Sequence, residues 1–300
     1  GAAYIFTKSP SGWKQQAYIK ASNTNAYDSF GGNIDLSSDG SILVVTASNE
    51  DARVNLINGD ETDNTGPSIG AAYIFERTGS NWEQKAYIKP SQLSPQGHML
   101  KFGSSISLNS NGNIMAVGAI WGTTDGEAGG LVYIFNKYDD EWTEHSILSA
   151  SNTEYYDHFG AELALSGDGT TLAVGAIYED GGASGINGNQ QDNSTQNSGA
   201  VYIFKYTNNE WLQSAYIKAS NPSENDYFGQ KLTISNDGKY LAVGVSSEGS
   251  PSESNQTSDD FSGSGVTYVF KEENEEWTQF DFIKPSNLDP EDKFGSAVTF

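Results

Sequence analysis

Short apolar runs with a period of two cover the chain from end to end, the pattern of pleated strands with one face turned inward. The clearest run is written five times: GAAYIF at residues 1–6, GAAYIF at 70–75, GLVYIF at 130–135, GAVYIF at 199–204 and GVTYVF at 265–270. A tryptophan follows each copy, at Trp13, Trp82, Trp142, Trp211 and Trp277. A second apolar run comes next, such as AYIKASN at 17–23 and 215–221 or FIKPSN at 282–287. Then stands a Phe-Gly pair: Phe30-Gly31, Phe102-Gly103, Phe159-Gly160, Phe228-Gly229 and Phe294-Gly295. A hairpin pattern closes each unit, as in IDLSSDGSILVVTAS (34–48), with Asp39-Gly40, Asn111-Gly112, Asp168-Gly169 or Asp237-Gly238 at its turn. Those dipeptides supply the positive φ that tight hairpins need. No amphipathic helical period is visible.

Four strands per unit, repeated, predict an all-β chain of four-stranded antiparallel blades, a β-propeller or a large part of one. The units begin near residues 1, 70, 130, 199 and 265, and residues 1–300 read as one propeller domain or segment. A blade cannot bury both of its faces alone, so each must lean on its neighbours. In that setting the Phe of the pair is expected to wedge between adjacent sheets, and the Gly to let backbone approach closely. The order of elements gives four complete blades plus parts of another, with Gly295–Phe300 expected as a first inner strand. Asp28, Asp157, Asp226 and Asp292 stand two residues before the Phe, where a carboxylate caps the turn into the inner strand or binds a ligand.

Phe159–Phe204, with its FG pair, its LALSGDGTTLAVGAI hairpin and its closing GAVYIF, resembles the bacterial FG-GAP repeat, related to the blades of integrin α-subunits. The resemblance covers essentially the whole chain. It implies an integrin-like β-propeller, commonly seven-bladed, of which this chain would be an excerpt, and extracellular recognition or structural roles. Integrin-type blades hold Ca²⁺ in a D-x-D-x-D-G turn. Here that place reads SSDGS, NSNGN, SGDGT and SNDGK, too poor in carboxylates for that cation site to carry over.

Charge narrows the partners. Of 300 residues, 39 are acidic and 16 basic, a net charge of −23. That field repels phosphate backbones and anionic membrane surfaces, so neither nucleic acid nor membrane insertion is expected. There is no cysteine, hence no disulfide framework.

Candidate chemistry lies in the loops between the second and third strands of each unit. Glu50, Asp51, Asn58 and Asp63 in one loop, which also holds Asp60, align at a constant offset with Glu179, Asp180, Asn187 and Asp192 in another. Carboxylates and amides around a Gly-bearing turn suit Ca²⁺, and they equally suit a loop closed by its own hydrogen bonds. Trp121 and Asp125 in a short variable loop are candidate ligand contacts, with Trp121 read as lying outside the repeat register. Asn193 and Asn255 head N-x-[ST] sequons and are candidate glycosylation sites. The repeating tryptophans read as packing residues. The three histidines, His98, His145 and His158, fall in no known catalytic motif, and the carboxylates read as surface charge. The sequence alone therefore predicts a non-enzymatic module, secreted or on a bacterial cell surface, that binds protein or glycan through its loops. The alternatives are a subunit of an extracellular fibre, joined to copies of itself through blade edges, and a hydrolase with its site on a propeller face.

Overall fold

The computed structural model describes residues 1–93, 98–123, 128–249 and 262–300. It is all-β among these residues, with eighteen strands. β1 (Ala3–Ser9) and β2 (Gly12–Ile19) form a two-stranded sheet. Four four-stranded antiparallel sheets follow. The first is β3 (Ile34–Leu36), β4 (Ile42–Ala47), β5 (Ala71–Thr78) and β6 (Asn81–Ile88). The next is β7 (Phe102–Leu108), β8 (Ile114–Ala119), β9 (Leu131–Tyr138) and β10 (Glu141–Leu148). Then come β11 (Phe159–Leu165), β12 (Thr171–Ala176), β13 (Ala200–Thr207) and β14 (Glu210–Ile217). Last are β15 (Lys231–Ile234), β16 (Tyr240–Val245), β17 (Val266–Glu273) and β18 (Glu276–Ile283). Within each sheet the strands lie in chain order, the meander of a propeller blade. Residues Gly295–Phe300, expected as a strand, pair with no described strand; only Phe294 is bridged, to Gly265.

The chain gathers into two compact units, Gly1–Gly122 with Val132–Ile147, and Thr123–Leu131 with Leu148–Phe300. In each, the core lies between sheets. In the first unit, Ala3, Ile19 and Ala21 of the two-stranded sheet pack with Phe30, Leu43, Val45, Tyr73 and Phe75 of the next blade. In the second, Val201, Ile203, Ala215 and Ile217 of one blade pack with Phe228, Leu232, Val243, Tyr268 and Phe270 of its neighbour.

The Phe-Gly pair occupies that junction, as expected. Phe159 is fully buried, edge-on to Tyr202 and Phe204 of its own blade at 5.5 and 5.9 Å. Phe102 and Phe228 repeat the geometry against Tyr133 and Tyr268 at 5.3 and 5.5 Å. Each Phe backbone in turn meets the glycine that opens the third strand of the preceding blade, in the bridges Gly70 to Phe102, Gly199 to Phe228 and Gly265 to Phe294. The carboxylates two residues before the Phe do cap their turns. Asp28, Asp157, Asp226 and Asp292 accept from the backbone N–H of Asn25, Glu154, Ser223 and Asp289 at 2.8–3.2 Å.

The recurring tryptophans lie inside the outer strands rather than before them. Trp142, Trp211 and Trp277 are buried, which accords with packing, while Trp13 on the two-stranded sheet is exposed. Neighbouring blades are also tied by ion pairs at one repeat position. Glu76 pairs with Lys137 at 2.6 Å, and the matching pair in the second unit is reversed, Lys205 with Glu272 at 2.7 Å. Where both positions are charged, the signs are opposite, in either polarity. Lys205→Glu should therefore lower stability by about 1 kcal/mol, and Lys205→Glu with Glu272→Lys should restore it, as read by urea denaturation. Loss in the double variant equal to the sum of two separate losses would contradict the pairing.

Candidate functional site

Three of the loop carboxylates expected at the surface are buried. Glu50 turns inward and accepts hydrogen bonds from the Tyr87 hydroxyl at 2.7 Å, the Lys89 ammonium and the Asn23 amide at 3.0 Å. Glu179 accepts from the Tyr216 hydroxyl at 2.6 Å, the Lys218 ammonium at 2.7 Å and the Gly181 N–H at 2.9 Å. Glu248 pairs with Lys284 at 2.9 Å and accepts from the Asn221 amide at 3.0 Å. Lys89 and Lys218 are fully buried. Burial pushes both ammoniums below the ordinary lysine range, and the facing carboxylate pushes back.

The third blade shows what the pair is. At the matching positions stand Gly122 for the Glu, Ile147 for the Tyr and Ser149 for the Lys. The charges are absent together, because one buried charge without the other is costly whereas removal of both is cheap. The tie is thus an optional structural element of the blade.

This corrects the cation expectation for Glu50 and Glu179, whose carboxylate oxygens are taken by ammonium and phenol groups. The other residues of that set close their own loops. Asp51 and Asp180 accept from the N–H of Ser68 and Asn197 at 2.8 and 2.7 Å. Asn58 and Asn187, both at positive φ, accept from the N–H of Tyr87 and Tyr216 and so bind the loop to the outer strand. Asp60 accepts from Thr62, Asp63 from Thr65 and Arg53, and Asp192 from Ser194. Among the described residues no three His, Cys, Asp or Glu groups gather as a cation site. Asn193 is exposed and donates to Glu154 at 2.6 Å. Asp125 and Asn255 lie outside the described residues.

Trp121 is half-buried, its backbone N–H donating to the Leu100 carbonyl at 3.2 Å. Its position is in register after all, matching Asn49, Tyr178 and Ser247. This position varies freely, as does the one just before each Phe-Gly pair: Ser29, Lys101, His158, Tyr227 and Lys293. In the first unit the two positions meet where Lys101 donates to Asn49. In the second they make an aromatic cluster. His158 lies 4.7 Å edge-on to Tyr178 and 6.3 Å from Tyr156. Tyr156 stands edge-on to Tyr155 at 4.0 Å, and Tyr178 to Tyr227 at 5.6 Å. Tyr227 donates to Asn225 at 3.2 Å, and Asn225 accepts from Asn197 at 2.8 Å.

Backbone geometry builds this cluster. Tyr156, His158 and Tyr227 all take positive φ in the connections that enter the inner strands, at 77°, 55° and 56°. The same conformation recurs at the matching positions Tyr27, Ser29, Lys101 and Lys293, so it belongs to the junction itself, which here presents aromatic side chains. The Asp157 cap holds the turn between Tyr156 and His158. Burial, reinforced by the nearby Glu179, Glu154 and Asp180, pushes its carboxyl up to about 7. Burial pushes the His158 imidazole below the ordinary histidine range, so the ring is neutral at neutral pH. Tyr155 and Tyr156 remain half-exposed. The arrangement offers flat apolar faces, phenol hydroxyls and a neutral imidazole on one patch. His98 is exposed, and His145 on β10 contacts Ser146 at 2.7 Å.

A sequence profile of the FG-GAP repeat matches residues 13–75 and 142–204. The chain carries FG-GAP repeats. Both matches begin at the outer-strand tryptophan of one unit and end at the YIF strand of the next, so they span the Phe-Gly junction. No curated protein matches the sequence.

Solved structures similar to this FG-GAP repeat protein are distant in sequence. A candidate 6-phosphogluconolactonase from Bacteroides fragilis is 15% identical, with a TM-score of 0.50 over 96% of this chain and 65% of its own. A second, from Bacteroides uniformis, is 13% identical, with a TM-score of 0.55 over 96% and 66%. A protein from Lactobacillus plantarum is 11% identical, with a TM-score of 0.53 over 98% and 67%. The FG-GAP chain thus spans about two thirds of the length of these structures. At such identity the likeness establishes the shared fold. It also overturns the expectation of a non-enzymatic binding or fibre module: that reading rested on the blade architecture, and structures with this architecture include proteins described as lactonases.

The buried Glu–Lys tie gives a direct test of the framework. Glu179→Gln should cost about 3–5 kcal/mol by stranding the Lys218 charge. Combining Glu179→Gly, Tyr216→Ile and Lys218→Ser, the residues of the third blade, should recover most of that loss in equilibrium unfolding. A triple variant less stable than Glu179→Gln would contradict the reading.

Proposed function

We propose that this FG-GAP chain is part of a propeller-face hydrolase acting on lactones of sugar acids, with His158 as its general base. The observation that carries the proposal is the His158 imidazole, kept neutral by burial and set edge-on to Tyr178 in a partly exposed patch of tyrosines. A catalytic base works best when its pKa lies near or below the working pH. Tyrosine rings suit the apolar faces of a sugar, and their hydroxyls suit its polar edge. The likeness to structures described as 6-phosphogluconolactonases supports the substrate class.

In this reading substrate binding parts the tyrosines and admits water to the His158 ring, whose Nε2 is otherwise buried, and His158 takes a proton from the water that attacks the lactone carbonyl. The tetrahedral oxyanion is met by a phenol hydroxyl of Tyr156 or Tyr178. Collapse breaks the ring C–O bond, and His158 returns the proton to the leaving oxygen, giving the open sugar acid. The imidazole gains one proton in the attack and gives it up in the collapse, so it ends neutral, as it began. Tyr155 and Tyr227 extend the stacking surface, and Asp157 holds the turn without touching substrate.

The test is hydrolysis of 6-phosphogluconolactone and its unphosphorylated counterpart above the spontaneous rate. His158→Asn keeps a side chain tolerant of positive φ and should lower kcat/KM by about 10²–10⁴-fold with an unchanged Tm. Because the neutral ring is the active form, kcat/KM should be flat near pH 7 and fall only below about pH 6.5, the ordinary histidine value. No turnover above background with either lactone, or full activity in His158→Asn, would overturn the proposal.

A further inference from the structure

We infer that the cleft between the blades β11–β14 and β15–β18, at the end where their hairpins lie, binds a small sugar bearing a carboxylate or phosphate. The cleft is a cavity of about 680 Å³ into which Lys205, Lys239 and Lys271 all face. It adjoins a second cavity of about 450 Å³, which shares Lys205, Glu272 and Glu275 and is walled by hydroxyl groups of Thr170, Thr207 and Ser214 beside the half-exposed Leu212. Three ammonium groups stand among three carboxylates, Glu272, Glu273 and Glu275, with hydroxyls and one apolar wall beside them, a balanced lining that suits a ligand with one anionic group and several hydroxyls.

The repeats supply an internal control. The matching positions between β3–β6 and β7–β10 hold Glu76 and Lys137, which reproduce the Lys205–Glu272 pair with the signs exchanged. Where the second unit has Lys239 and Lys271, however, the first has Asn113 and Asn136. The blade junction therefore folds without these two lysines. In a chain of net charge −23, two ammoniums that the framework does not require converge on one cavity.

The existing ion pairs leave room for an incoming anion. Lys205 is the more enclosed and stays with Glu272 and the Thr171 hydroxyl, at 2.7 and 3.0 Å. Lys271 pairs with the exposed Glu273 at 2.5 Å while its ammonium lies over the Tyr240 and Phe280 rings, at 5.6 and 5.7 Å. An exposed pair of that kind contributes about 0–1 kcal/mol, so a ligand anion displaces the carboxylate cheaply. Lys239 has no ion pair among the described residues and is exposed at the hairpin turn. Glu275, also on the rim, accounts for selectivity: it repels a bare multivalent anion and accepts from sugar hydroxyls.

This site is separate from the His158 patch, and its test does not depend on catalysis. Isothermal titration of the full chain with gluconate and with glucose 6-phosphate should show saturable binding to one or both, weakening as salt rises. Binding to gluconate alone assigns a carboxylate ligand, and to glucose 6-phosphate alone a phosphate. Neutral glucose and inorganic phosphate should each bind at least about tenfold more weakly. Lys239→Asn with Lys271→Asn, the residues of the first unit, should reduce affinity about tenfold or more. Lys8→Asn with Lys14→Asn, an equal charge change elsewhere, should leave it unchanged. No binding of either sugar anion, equal binding of bare phosphate, or undiminished binding in the Lys239/Lys271 variant would overturn the inference.

Discussion

The backbone contact between a glycine of one blade and the Phe-Gly phenylalanine of the next sets the spacing on which the rest of the structure depends. A Cβ on Gly199 would stand 2.3 Å from the Phe228 carbonyl oxygen and 2.4 Å from its nitrogen, so no other residue permits the approach. The Phe228 ring packs edge-on to Tyr268 and Phe270 of its own blade, and the close backbones bring that apolar face onto Val201 and Ile203 of the preceding blade. Burial of those faces is the main stabilising term, since a single four-stranded blade leaves one face bare. The same junction carries the variable positions that precede each Phe, so framework and candidate chemistry sit a few residues apart.

Much of this was legible in the residues because it repeats. Phe102, Phe159 and Phe228 recur with their glycines, and only a junction used again and again explains that recurrence. Asp157 and its counterparts, open in the sequence between a turn cap and a ligand contact, cap their turns. The buried Glu179–Lys218 tie was not read, although its trace is present: the Glu and Lys recur in register at Glu50 and Lys89 and at Glu248 and Lys284, and vanish together at Gly122 and Ser149. Polar loops bias interpretation toward solvent, and burial of a charge is a tertiary fact that a linear pattern does not carry.

The candidate site was hidden for the opposite reason. His158, Tyr178 and Tyr227 do not repeat, and they come from three separate connections, so no spacing joins them. The repeat defines them by exclusion: where the framework is constant, positions that change type from blade to blade are free to serve function. Lys239 and Lys271 stand out by the same logic on the other end of the blades. A hydrolase reading and an anion site both follow from departures from the repeat, whereas the repeat itself speaks only of fold.

The most direct measurement compares two glycines with the same backbone conformation. Gly199, at φ +77°, abuts Phe228; Gly185, at φ +80°, has nothing within 4 Å of its would-be Cβ. Gly185→Ala should cost only the left-handed backbone penalty, about 1–2 kcal/mol, in equilibrium unfolding. Gly199→Ala should add the clash at the junction and cost at least about 2 kcal/mol more. Equal losses for the two variants would contradict the claim that close Gly–Phe approach holds the blades together.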